Sequence, residues 1–123
     1  MEAEAVLGLL EQDGERATLI RSVAHRLEND QNPVAWRAGR VRAWLEEGPL
    51  AETPADELRA RTRELMTHRF RGFDALHLAC AEVAGADVFV TCDDRLLALA
   101  RRLGPAVRVR VGELTAVANE VLG

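Results

Sequence analysis

Residues 73–97 read FDALHLACAEVAGADVFVTCDDRLL. From Asp74 onward, Ala75, Leu78, Ala79 and Val83 recur at helical spacing, and Gly85 ends the pattern. DVFVT, residues 87–91, has the length and β-branched content of a buried strand. Asp93 and Asp94 follow where the chain must turn into the next helix, DDRLLALARRLG. AVRVRV, residues 106–111, then alternates as a second strand. Strand, helix and strand in this order predict a parallel pair with a right-handed crossover, in an α/β fold.

The upstream chain fits the same architecture. Val6, Leu7, Leu9 and Leu10 form a helical stripe over residues 2–13, stopped by Gly14. RATLIRS contains a short apolar run, expected as a strand over 16–21, and Ser22 is placed to cap a helix carrying Val23, Leu27 and Glu28. Asn32 and Pro33 are expected to open a third helix, with Val34, Ala38, Val41 and Leu45 at helical spacing down to Gly48. TPAD, residues 53–56, has the form of a capping box opening a helix to about His68, and FRGF is a turn.

The chain has 123 residues, 48% hydrophobic and 29% charged, as expected for one globular domain spanning 1–123. It has no run of about 18 apolar residues, so no membrane span is expected. The acidic start MEAEAVLGLLEQDGE is not a secretory signal, and a cytoplasmic location is expected. Cys80 and Cys92 form no ligand-spaced cluster and read as reduced thiols packed as small hydrophobes. The net charge is −4, and all 16 basic residues are arginine. The absence of lysine excludes a P-loop and argues against a receiver-type phospho-acceptor site.

In open parallel sheets ligands bind beyond the C-terminal ends of the strands. Asp93 follows the 87–91 strand there, on the same side as Phe89 and Thr91 by strand alternation. Taken singly, Asp74, Asp93 and Asp94 are each explained as helix-start acids. Glu28, in the second turn of its helix, is less easily explained that way. Helices starting near 22, 74 and 94 are expected to bring Glu28, Asp74 and Asp93 to one sheet edge. Clustered carboxylates repel unless a hard divalent cation neutralises them, and oxygen ligands select Mg²⁺ or Mn²⁺. Such a site suits attack of water on a phosphodiester.

The same residues resemble the PIN domain family. FDALHLACAEVAGADVFVTCDDRLL is similar to its C-terminal half, in which an Asp opens a D-A-x-H-x-A helix, a G-A-D-x-F-x-T strand follows and T-x-D supplies another acid. LIRSVAHRLENDQNP resembles the family's strand, serine and glutamate-bearing helix; residues 30–72 match weakly. The resemblance implies a three-layer fold with a small, mostly parallel sheet flanked by helices. It implies a Mg²⁺- or Mn²⁺-dependent endoribonuclease, the VapC-like toxin of a toxin–antitoxin pair. RNA substrate, a cognate antitoxin and a homodimer are the partners it implies. Glu28, Asp74 and Asp93 carry over as metal-site acids, Thr91 as a residue that orients them or the water, and Asp94 as a further metal-site candidate. The family's opening central strand, with its first catalytic aspartate, has no counterpart here, so an N-terminally truncated domain is expected. The alternative is a catalytically inactive PIN-like module that binds RNA or protein.

Other features receive blander readings. His77, three residues after Asp74, is expected to pack and satisfy itself, the alternative being a contact with the site or a hydrogen bond to an acid. Trp36 and Trp44 read as core or partly buried residues, the alternative being a dimer or antitoxin surface. Arg37, Arg40 and Arg42, with Arg59, Arg61 and Arg63, read as two solvated faces paired with nearby glutamates, the alternative being the border of an RNA groove.

Overall fold

A computed structural model describes residues 17–123, without the Leu122 side chain. The helix expected over residues 2–13 lies outside the described residues. The elements run α1 (Val23–Asp30), α2 (Ala35–Glu46), α3 (Ala55–Thr67), α4 (Gly72–Val83), β1 (Val88–Thr91), α5 (Asp94–Leu103), a 3₁₀ turn at Gly104–Ala106, β2 (Arg110–Glu113) and α6 (Leu114–Leu122). No helix among the described residues is long and apolar enough to cross a membrane. The chain is mostly helical with a small parallel sheet, in keeping with the α/β expectation.

Two compact units divide the described residues: Ile20–Gly85, and 17–19 with Ala86–Gly123. The first is helical. Here α4 packs against both α1 and α3, and α1 also meets α2. Its core holds Ala24, Leu58, Leu65, Phe70, Ala75, Leu78, Ala79 and Cys80. Small residues on α1 and α4 (Ala24, Ala75, Ala79) leave little between the two backbones. Arg61 is buried in this unit, against the expected solvated face. Its Nη2 donates to Glu82 Oε2 at 3.0 Å, its Nε to Oε1, and its Nη1 lies 3.0 Å from Glu64. The fork geometry satisfies a charge that burial would otherwise penalise, and the Glu82 hydrogen bond holds the guanidinium pKa above its usual value.

The second unit is a β1–α5–β2–α6 succession. β1 and β2 pair in parallel, with Val88 opposite Arg110 and Thr91 opposite Glu113. α6 lies against both strands, its Leu114 and Ala118 packed with Val90 and Val121. A Cβ at Gly112 would stand 2.5 Å from Val117 Cγ2, so glycine permits this close approach.

Several boundaries differ from expectation. Residues 17–21 hold a single bridge residue, Ala17, in place of a strand. Asn32 does not cap α2: its Oδ1 accepts from Val34 N–H at 3.0 Å, a local turn that delays the helix to Ala35. α3 is capped by the backbone of Pro54, with no side-chain bond, so Thr53 lies one residue too early. Gly104 (φ 56°) and Pro105 make a 3₁₀ turn, and the second strand starts at Arg110 instead of 106. Trp36 is 62% exposed, not core. Cys80 is buried as expected, whereas Cys92 is exposed.

Candidate metal centre

In the helical unit the site is built from α1 and α4. Ser22 caps α1, and its hydroxyl accepts from the His25 backbone N–H. His25 completes the box from the third helical position, its Nδ1 accepting from the Ser22 backbone N–H at 3.0 Å. A backbone N–H can only donate, so Nδ1 is bare and the ring is the neutral Nε2–H tautomer. Burial and the neighbouring His77 lower the His25 pKa to about 4. The ring stands edge-on to Trp44 at 5.4 Å and to His77 at 5.0 Å between centroids.

One helical turn beyond Ser22–His25, Glu28 points its carboxylate into partial exposure. Its Oε1 lies 3.3 Å from His77 Nε2. An ionised carboxylate only accepts, so the hydrogen sits on His77 Nε2. The His77 side chain is only 13% exposed and the Glu28 side chain 54%, so the histidine is the fixed partner. His77 is therefore more than the packing residue expected from sequence. Asp74 occupies the first turn of α4, half-buried, three residues before His77. The cap of that helix is Arg71, without a side-chain bond, so Asp74 is not the cap. The helix begins two residues before the expected start.

In the second unit Thr91 ends β1, and its Oγ1 accepts from Asp93 N–H at 3.0 Å. Asp93 Oδ1 accepts from the N–H groups of Arg95 (2.9 Å) and Leu96 (3.2 Å), making Asp93 the N-cap of α5. Asp94 is the first helical residue. The cap therefore falls to Asp93, an acid also expected at the metal site. Both cap bonds fall on Oδ1, however, and among the described residues no partner meets Oδ2. A single carboxylate can thus hold the helix with one oxygen and offer the other to a ligand.

The predicted acids therefore divide: Glu28 and Asp74 in one unit, Thr91, Asp93 and Asp94 in the other. Within neither unit do three or more described His, Cys, Asp or Glu residues form a metal-holding group. The donor chemistry fits a hard divalent cation, since all four candidate ligands are carboxylates and two have one oxygen bonded and one to spare. Sequence reasoning missed the His25–His77 pair. The available signal was the Ser-x-x-His spacing from Ser22, which places a side-chain acceptor where a capping box has Glu or Gln.

Comparison with protein families matches the PIN domain over residues 2–102. The chain matches no curated protein and no solved structure.

Proposed function

The chain belongs to the PIN domain family, a nuclease-type domain whose members generally use divalent metals, and on that premise we propose that it is a Mg²⁺- or Mn²⁺-dependent endoribonuclease, the VapC-like toxin of a toxin–antitoxin pair. The observation that carries the reading is the set of acids within the matched span, Asp74 and Asp93 at helix starts and Glu28 in the second turn of α1.

Glu28, Asp74, Asp93 and Asp94 are the residues that would hold the metal. The bound cation supplies charge neutralisation for a phosphodiester and acidifies water. His77 holds the Glu28 carboxylate in place by donating from Nε2. Thr91 fixes the backbone entering Asp93. In this reading the substrate is RNA, the protein partners are a cognate antitoxin and a second copy of the chain, and the location is cytoplasmic.

A second reading is an inactive PIN module that binds RNA or protein. It is favoured by the Glu28 and Asp93 carboxylates already having protein partners. Incubating the full chain with RNA and Mn²⁺ separates the two. We expect cleavage that EDTA stops and that Asp74→Asn abolishes. RNA left intact by a chain that calorimetry shows to bind no Mn²⁺ would leave only the second reading.

A further inference from the structure

Helix α2 contains the most exposed tryptophan of the described residues, and its surroundings are unusual for this chain. Residues 31–45 contain Arg37, Arg40 and Arg42 and no acid, in a protein of net charge −4. Trp36, Gly39, Arg40 and Ala43 recur at i, i+3, i+4 and i+7, so they share one face, and all four are exposed. Ala38, Val41 and Leu45 occupy the opposite face, buried or half-buried. Arg37 and Arg42 flank the exposed face on either side and are themselves exposed. A Cβ at Gly39 would meet nothing within 4 Å, so the surface beside the indole is open.

Two of the three charges on this face, Arg40 and Arg42, are not used within the unit. Among the described residues neither Arg40 nor Arg42 has a salt bridge or side-chain hydrogen bond. By contrast, Arg21, Arg59, Arg61 and Arg110 all pair with carboxylates. The Arg37 guanidinium lies over the Trp36 ring, 5.2 Å from its centroid. Arg37 sits in the first turn of α2, where the dipole disfavours positive charge, and Val34 gives no side-chain cap.

We propose that the Trp36, Arg37, Arg40 and Arg42 face of α2 is a docking surface for single-stranded RNA. It rests on the ribonuclease reading and adds where the strand is held. The open indole face is a stacking platform for one base, and Arg40 and Arg42 pair with phosphates to either side. The complementarity is one of charge: an acid-free stretch carrying three arginines suits a polyanion. In a self-association of copies through this face, the same arginines would meet one another.

Binding is measured with a short fluorescein-labelled oligouridylate and the full chain in EDTA, so that no cleavage intervenes. Trp36→Ala is expected to weaken binding roughly tenfold, the loss of one base–aromatic stack. Arg40→Gln and Arg42→Gln should each lower the slope of log affinity against log salt by about 0.7. All three positions are exposed, and circular dichroism checks that the variants fold. Unchanged affinity and slope in variants of a chain that binds RNA would overturn this surface and leave the ribonuclease reading standing. A wild-type chain that binds no RNA in EDTA would overturn this surface, while the Mn²⁺ cleavage assay decides the ribonuclease reading separately. If sedimentation shows that Trp36→Ala disperses a dimer while RNA affinity is unaltered, the face is a protein interface and the proposal fails.

Discussion

Glu28 and Asp93 are both acids set beside a helix, but their carboxylates are held by different kinds of partner. In the helical unit Glu28 faces a histidine side chain from another helix, 3.3 Å away. In the β1–α5–β2–α6 unit Asp93 turns back onto the amides of its own helix, and Glu113 does the same for α6 through Thr115 and Ala116. Local caps of the second kind stabilise a helix wherever they occur. A long-range pair between an exposed carboxylate and a nearly buried imidazole contributes little to helix formation, so its geometry is better explained by the work of the carboxylate. The difference teaches that Glu28 is the site candidate with less structural explanation, and that Asp93 has a structural role whatever else it does.

The largest expected effect separates the two units by acid. The His25 pKa is lowered from 6.5 to about 4, first by burial and second by His77. Between those values the unfolded chain binds a proton that the folded chain refuses. Stability is therefore full above about pH 6.5 and falls as the pH is lowered towards 4, by about 3 kcal/mol in all. Protonation at Nδ1 would also break the bond from Ser22 N–H that closes the α1 capping box. Glu113 titrates in the same direction but in a lower window. Hydrogen bonds from Thr115 and Ala116 lower its pKa below 4.5, so its contribution is present above that value and is lost only as the pH falls further. Urea melts from pH 7 to 4 should show the loss, and intrinsic-rate-corrected amide exchange should show α1 opening before α6. His25→Gln should flatten the pH profile, since glutamine at that position can close a capping box without titrating. A profile unchanged by His25→Gln would break the contrast between the units.

How much of this contrast was readable from sequence depends on the range of the forces involved. Ser22 as a cap, the glycine stop at Gly85 and the α5 helix from Asp94 to Leu103 are all local, and sequence spacing placed each correctly. α6 escaped notice because its cap is Glu113, and glutamate is not among the residues that usually announce a helix start. Alternation correctly put Val107 and Val109 inside, but it could not show that the 3₁₀ turn at Gly104–Ala106 keeps them out of the ladder. Arg61 was misread because nothing nearby in sequence reveals Glu82, 21 residues away. The Glu28–His77 contact spans 49 residues; helix starts at strand ends brought its two segments together through Glu28 and Asp74, but no local pattern singled out the histidine.

A middle-sized effect tests whether that contact serves the carboxylate. His77→Leu removes the Nε2 donor at a nearly buried position. Mn²⁺ affinity should fall about tenfold, as it does when a ligand loses its outer hydrogen bond, with little change in melting temperature. His77→Gln keeps a donor and should recover much of the loss. Equal affinity in all three proteins, measured by calorimetry, would make the pair a packing contact and bring Glu28 down to the level of the capping acids.

The smallest effects concern Asp93 and Asp94. Asp93→Ala removes both bonds to Arg95 and Leu96 and should cost about 1 kcal/mol, the usual value of an N-cap. Asp94→Ala loses only an exposed acid in the first turn and should cost about 0.3 kcal/mol from the helix dipole. Asp93→Asn is the decisive variant. Asparagine caps as well as aspartate, so its melting temperature should match that of the wild type. The substitution removes the negative charge behind Oδ2 while leaving an oxygen for the amides. A fall in Mn²⁺ affinity at unchanged stability would show that one carboxylate serves both the helix and the metal. Unchanged affinity would confine Asp93 to its cap and leave Glu28 and Asp74 as the acids that distinguish the helical unit.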